Sequence, residues 1–440
     1  MPSLTAQLAC LSSDLPGIGG VIKQRPEDFL VEELPLYEPV GEGEHLFLFI
    51  EKRSATTLDV ARHVAKAFRV RRGEVGYAGM KDKHAITRQH FSVRMTDAGS
   101  DEAEGVERLN HHPRIQVLWA ARHRNKLKRG HLAGNRFVIH VRDVEPTAAL
   151  KAKPVLDRLA ASGVPNYFGR QRFGYRQHNH LLGGMLIQRQ WQALLDEMLG
   201  RPRESDSPAI RAGRAAYERG AYLEALEHWP RHLRHERQVL DALRQGRGAE
   251  AAVRAMDRVQ REFLLSSWQS AIFNAVLDRR LREGSFDRLL PGDLAWKHDS
   301  RAVFEVDDAV AATENAPAGR VPAMAVSPSG PLWGPDMPRA KGEPGELERE
   351  ALEATGLNEK QLADMSDIML EGRRRPLRVV LSHPDMSGGV DEHGPYVRLA
   401  FDLPRGSFAT IALREIMKVD ELEAPTPRVE ADGGGEEREA

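Results

Sequence analysis

The chain has 440 residues, 41% of them hydrophobic and 29% charged. The length suggests two to three domains, and the composition excludes a mostly disordered chain and leaves apolar mass for more than one core. Lys plus Arg number 63 and Asp plus Glu 64, so the formal charge is −1, and the single cysteine, Cys10, excludes a disulfide framework within the chain.

The first residues, Met1 to Gly20, lack a basic start and carry Asp14 early, so no secretory leader is expected. No stretch approaches the roughly 18 apolar residues of a membrane span. A lone cysteine fits a reducing compartment, and the expected location is the cytoplasm.

In chain order, His45 to Ile50 reads as a buried strand. Thr56 or Thr57 caps a helix with Leu58, Ala61, Ala65 and Phe68 at helical spacing. Glu74 to Ala78 is short and β-like, and Thr87, Gln89, Phe91, Val93 and Met95 alternate with polar residues. Ile115 to Trp119 and Phe137 to Val141 read as further strands. From Leu181 to Gly284 the chain is rich in Ala, Leu, Arg and Glu, and Phe263, Trp268, Ile272, Val276 and Leu281 recur as on a packed helix. Residues 313–346 are dense in Pro and Gly and read as an extended, irregular connection. Strand patterns return at Leu377 to Leu381 and at Val397, Leu399, Phe401 and Leu403, and Ser407 caps a last helix carrying Ile411, Ile416 and Met417. β-rich ends around a helical middle predict an α+β fold, a mixed or antiparallel sheet with flanking helices, interrupted by a largely helical inserted domain. The expected division is 1–160 and 347–420 for the interrupted core, 161–346 for the insertion, and 421–440 for a disordered acidic tail.

Charge is uneven along the chain. From Arg108 to Arg142 there are nine basic residues and no acid. Arg122, Arg124, Lys126, Lys128 and Arg129 are its densest part and are the expected phosphate-backbone contacts, because electrostatic binding depends on the patch and not on the sum.

The densest polar cluster is Gly79-Met80-Lys81-Asp82-Lys83-His84-Ala85, between two expected strands. Flanking lysines favour the ionised carboxylate of Asp82, which suits a nucleophile or general base more than a general acid. The plain alternative is a solvated turn. Gly130 to Phe137 (GHLAGNRF) carries Asn135, whose amide can read a base edge, and Phe137, an aromatic able to stack on one; the plain alternative is a hairpin loop. Phe29 and Phe408 read by default as core. Val164 to Gly174 (VPNYFGRQRFG) is an aromatic, Gly-rich segment that either hinges two domains or meets a ligand. The 17 histidines include no H-E-x-x-H pair and no Cys pair lies near them, so no metal site is expected; G-x-x-x-x-G-K-[ST] and G-x-S-x-G are also absent.

Taken together, Lys23 to Phe29 (KQRPEDF), Tyr77 to Gln89 (YAGMKDKHAITRQ), GHLAGNRF, VPNYFGRQRFG and Leu403 to Glu415 (LPRGSFATIALRE) resemble, in order, the signatures of the TruD family of tRNA pseudouridine synthases. The resemblance implies a pseudouridine synthase core with a family-specific inserted domain. It implies isomerisation of the uridine at tRNA position 13, with tRNA as partner and with no metal, nucleotide or redox cofactor. Asp82 matches the catalytic aspartate, and Phe29, Asn135 and Phe408 match substrate-contacting positions. Phe137 is the implied stacking face and Lys23 the implied basic partner of Asp82. No membrane association and no protein partner is implied.

Two readings from other classes stand beside this one. A non-catalytic RNA-binding or RNA-folding protein would use the basic stretch but has no need of a carboxylate among phosphates. A nucleoside or glycoside hydrolase would want a second carboxylate as acid, and nothing in the sequence places Glu27 or Asp28 beside Asp82.

Overall fold

The structure is a computed structural model that describes residues 8–95, 102–363 and 370–419. The expected acidic tail, 421–440, lies outside the described residues. Two units form: Ser12–Val164 with 379–419, and Pro165–Arg378 with 8–11. The second unit thus runs on to Arg378, where the sequence reading ended it at 346.

The first unit opens with β1 (Phe29–Pro35), β2 (His45–Arg53), α1 (Thr57–Ala67), β3 (Val75–Tyr77), β4 (Ile86–Arg94), α2 (Glu102–Asn110), β5 (Ile115–His123), β6 (Leu132–Arg142), α3 (Ala148–Ser162) and the two-residue β7 (Val164–Pro165). The second holds α4 (Asn179–Ile187), α5 (Trp191–Leu199), α6 (Pro208–Glu218), α7 (Tyr222–His228), α8 (Arg234–Arg244), α9 (Ala249–Arg254), α10 (Arg258–Arg282), β8 (Leu294–Lys297), β9 (Val303–Glu305), α11 (Asp308–Asn315), β10 (Val326–Leu332), α12 (Gly342–Glu353), α13 (Glu359–Ala363) and β11 (Arg373–Pro376). After the short β12 (Arg378–Val379), β13 (Ser382–Asp391), β14 (Gly394–Pro404) and α14 (Ala409–Met417) complete the first unit.

Its sheet runs β13-β14-β6-β1-β4-β2-β5, with β3 also on β4. Every pairing is antiparallel except β1 with β4. Alternation explains the strands. Leu46, Leu48 and Ile50 of β2 and Phe91 and Val93 of β4 turn inward, where they pack with Val60, Ala61, Val64 and Ala65 of α1. Helix α1 starts at a capping box, Thr56 with Asp59, which satisfies two orphan backbone donors.

In the second unit, α10 is buried on nearly all sides (Leu264, Trp268, Ile272 and Phe273 among others), and the shorter helices pack around a shared apolar core. The expected irregular connection at 313–346 is irregular at 316–325 and 333–341, but it also holds the end of α11, strand β10 and the start of α12. Pro328 and Pro331 hid that strand. They are tolerated because β8 pairs only Val326 to Pro328 while β11 pairs only Ser329 to Leu332. A missing N–H therefore costs less than in a strand bonded on both edges throughout. The final helix also differs from expectation: its N-cap is Phe408, with no side-chain cap, and not Ser407. Among the described residues no helix is long and apolar enough to cross a membrane.

Candidate active site

The site grows from an interruption in the sheet. One edge of β4 is paired by β2 along its whole length, from Ile86 to Arg94. Its other edge is shared: β1 takes Ile86, Thr87 and Arg88, and β3 takes Phe91 to Val93. Between them, the His90 N–H donates to the carboxylate of Glu33 at 3.2 Å. The side chain thus stands in for a ladder carbonyl where β1 leaves β4. The β3–β4 connection, which carries Asp82, belongs to this place.

That connection is tied down residue by residue. The Ala78 carbonyl accepts from the Gly130 N–H at 2.8 Å, and the Gly79 carbonyl from the Gln89 amide at 3.2 Å. The Lys81 N–H donates to the Thr57 hydroxyl at 2.9 Å, and that hydroxyl donates to Gln89 at 2.9 Å. The Asp82 carbonyl accepts from Lys52 Nζ at 2.8 Å. Lys52 also donates to the Ala55 carbonyl at 2.8 Å and is completely buried. Burial pushes its ammonium down to about 8; the Asp82 charge opposes that shift, the Lys81 charge adds to it, and Asp59 opposes it.

The side chain of Asp82 is nearly half exposed, 47%, and pairs with Lys23 Nζ at 3.0 Å, whose own side chain is only 8% exposed. The cation beside Asp82 is therefore Lys23, 59 residues away in sequence, and neither of its chain neighbours. Lys81 turns from it into the interior, to Glu33 at 3.1 Å and to Asn135 Oδ1 at 2.5 Å. Lys83 is exposed. Lys23 has a left-handed backbone, φ 57°, a conformation that side-chain-bearing residues rarely adopt and that here accompanies its burial against Phe29. Its Nζ lies 4.7 Å from the Phe29 ring centroid, a cation–π distance.

Below the ion pair the rings form a floor. Phe29 meets Phe137 edge-on at 6.4 Å between centroids, and Phe137 meets Phe401 at 5.7 Å. Phe29 and Phe137 are buried, so the expected stacking ring Phe137 is part of this packed floor rather than a free face. Asn135 is on β6, opposite Glu33 of β1 and Leu403 of β14, and so lies in a strand, not a hairpin loop. Phe408 heads α14, four residues past the end of β14, and is half-buried.

Glu33 has little exposure, and it alternates with Phe29 and Val31 on the inward face of β1. Burial pushes its carboxyl up, but the His90 hydrogen bond and the Lys81 charge outweigh this and hold it below the usual range. Sequence reasoning named neither Lys52 nor Glu33. The signal was available: each is a charge at the inward parity of an otherwise apolar strand.

The basic stretch is less bare in space than along the chain. Arg122 pairs with Glu102, Arg124 with Glu42, and Arg136 with Asp402. Arg122 is also mostly buried, with 17% of its side chain exposed. Among the described residues, Lys126, Lys128 and Arg129 have no carboxylate partner; Lys126 donates to the Gly73 carbonyl and Arg129 to the Tyr77 hydroxyl at 3.3 Å. The expectation that no acid offsets these cations is thus corrected for Arg122, Arg124 and Arg136. Their partners lie outside the window, Glu102 just before it and Glu42 and Asp402 far from it. Among the described residues, no three His, Cys, Asp or Glu side chains gather as a metal site.

Fold and site define an α+β protein with a carboxylate backed by a buried lysine over an aromatic floor. The family profile described as tRNA pseudouridine synthase D (TruD) matches residues 6–416. The chain is 43% identical over 410 residues to tRNA pseudouridine synthase D of Geobacter sulfurreducens, covering 93% of this chain and 96% of that one. It is 36% identical over 428 residues to the protein of the same name from Thermus thermophilus, covering 96% of each. A crystal structure of a provisionally assigned tRNA pseudouridine synthase D (TruD) from Methanosarcina mazei superposes with a TM-score of 0.79 at 28% identity, covering 94% of this chain and 96% of that one. The chain belongs to the TruD family of tRNA pseudouridine synthases.

Proposed function

We propose that this protein isomerises uridine to pseudouridine in tRNA, at position 13, with Asp82 as the catalytic carboxylate. The observation that carries the reading is the asymmetry of the Lys23–Asp82 pair. The ammonium is buried against Phe29 and the carboxylate is its exposed partner, so a ligand meets the acid first. A lysine behind the carboxylate keeps a fixed counter-charge beside it when a base excludes water from in front.

The reaction breaks the bond between N1 and C1′ and forms one between C5 and C1′. C5 loses a proton and N1 gains one, so mass is unchanged. A uridine in folded RNA must first leave its stack, at a cost of a few kcal/mol. The floor of Phe29 and Phe137, with Phe408 and Asn135, supplies the apolar contact and polar grip that offset this cost and keep the detached ring from water. Asp82 then attacks C1′, attacks C6, or removes the 2′ proton; all three need the same ionised, held carboxylate. Lys126, Lys128 and Arg129 grip the phosphate backbone, and the setting is the cytoplasm, where tRNA is processed. Mass spectrometry of tRNA after incubation tests the reaction class: an unchanged mass with a new pseudouridine supports isomerisation, whereas release of free uracil, leaving an abasic tRNA with water added at C1′, would identify a hydrolase.

A further inference from the structure

Asn135 has two different ends, and its surroundings decide which one a ligand meets. Lys81 Nζ sits 2.5 Å from Oδ1. An ammonium has only donors, so the amide atom against it must be the oxygen. The ammonium is itself fixed, because it is buried, paired with Glu33 at 3.1 Å, and its backbone N–H is held by Thr57. Glu33 is in turn fixed by His90, through the backbone N–H and the ring nitrogen, both at 3.2 Å. Turning the amide over would set its NH2 against a buried ammonium. Among the described residues Asn135 Nδ2 has no protein acceptor, and the residue is only partly buried.

We infer that the buried Lys81–Glu33 pair is a positioning device that locks the Asn135 amide with its NH2 toward the ligand, making it a donor-only reader of a base carbonyl. The inference rests on the functional reading above, in which the ligand is a uracil ring. Uracil offers carbonyl acceptors at O2 and O4, whereas cytosine carries a donor amino group at C4. If the amide meets O4, it rejects cytosine by opposing two donors; if it meets O2, it orients the ring without choosing between the two bases.

Removing Lys81 would do more than free the amide. Glu33 stands directly opposite Asn135 in the β1–β6 ladder, and without Lys81 its carboxylate is an acceptor that draws Nδ2 to itself. Lys81→Met therefore inverts the amide and shows the ligand an oxygen. Asn135→Asp reaches the same end with Lys81 in place, since one carboxylate oxygen keeps Lys81 and the other replaces the donor.

The test uses full-length protein and tRNA carrying uridine, 2-thiouridine or 4-thiouridine at the target position, because sulfur is a poor acceptor. In the parent, one of the two thio substitutions should lower turnover roughly three- to tenfold, the effect of one neutral hydrogen bond. In Lys81→Met and in Asn135→Asp turnover should fall and that thio effect should vanish, while Lys81→Arg, still a donor-only cation, keeps it. Asn135→Asp decides the matter if Lys81→Met does not fold. A merely structural role for Lys81 would lower turnover and leave the thio ratio intact, which overturns the inference, as does a parent indifferent to both sulfurs. A parent inactive on the uridine tRNA removes the functional reading, and this inference with it.

Discussion

Replacing Lys52 by Met separates the holding of Asp82 from the stability of the fold. Lys52 is completely buried, and its ammonium is pushed from 10.5 to about 8. That shift corresponds to about 3 kcal/mol by which the interior disfavours the charge. Methionine relieves this cost at similar volume but strips a donor from the Ala55 and Asp82 carbonyls, at about 1–3 kcal/mol each. The two effects largely offset, so the melting temperature should stay within a few degrees of the parent. Turnover should not follow. Once the Asp82 carbonyl is released, the carboxylate can drift, and a displacement of about 1 Å can cost roughly a hundredfold in rate. Single-turnover kinetics on tRNA, beside thermal melting and a binding titration, should show a large fall in rate with affinity nearly unchanged. The same residue gives a pH signature. The folded chain sheds this proton near pH 8 and the unfolded chain keeps it to about 10.5, so over that window the unfolded state binds more protons and this group adds stability as pH rises. Activity should move oppositely, falling above about pH 8 as the charge facing Asp82 is lost, and the variant should lack that limb. A variant that turns over within threefold of the parent, with the alkaline limb intact, would refute the reasoning.

Three further outcomes are expected. Asn135→Ala should lower turnover far more than whole-tRNA affinity, since one base contact is small beside many phosphate contacts; equal losses in both would remove its positioning role. Changing Lys126, Lys128 and Arg129 together to Ala should weaken binding to any RNA and flatten the plot of log affinity against log salt by about two to three units. Arg124→Ala should do much less, because Glu42 already neutralises it; parallel salt lines for parent and triple variant would leave that surface outside the RNA contact.

Much of the sheet was legible because its strands obey one rule. Leu46, Leu48 and Ile50, or Val397, Leu399, Phe401 and Leu403, alternate cleanly and fold as read. Strand β1 escaped because FLVEELP places Glu33 at an inward position, which reads as a solvated break. It is a core position only because Lys81 and His90, from β4 and the connection before it, complete its charge. Strand β10 escaped for the opposite reason, since its prolines argue against a strand until its neighbours are known to divide it. At the site, motif resemblance singled out Asp82, Lys23, Phe29 and Asn135, and the structure brings the first three together and links Asn135 to the same loop through Lys81. Local charge counting failed at Lys81 and, in the basic stretch, at Arg122, Arg124 and Arg136. In each case the deciding partner lies outside the stretch that was counted, so the count holds no information about it.

The most direct test of the central claim is carbodiimide mapping of pseudouridine in tRNA treated with the parent protein and with Asp82→Asn. The amide keeps the shape of the carboxylate and can still accept from Lys23, so the fold and tRNA binding should persist, as melting and a binding titration would show. The account predicts one new stop, at position 13, with the parent and none with the variant. A stop of comparable strength with Asp82→Asn would contradict the account and move the catalytic carboxylate elsewhere.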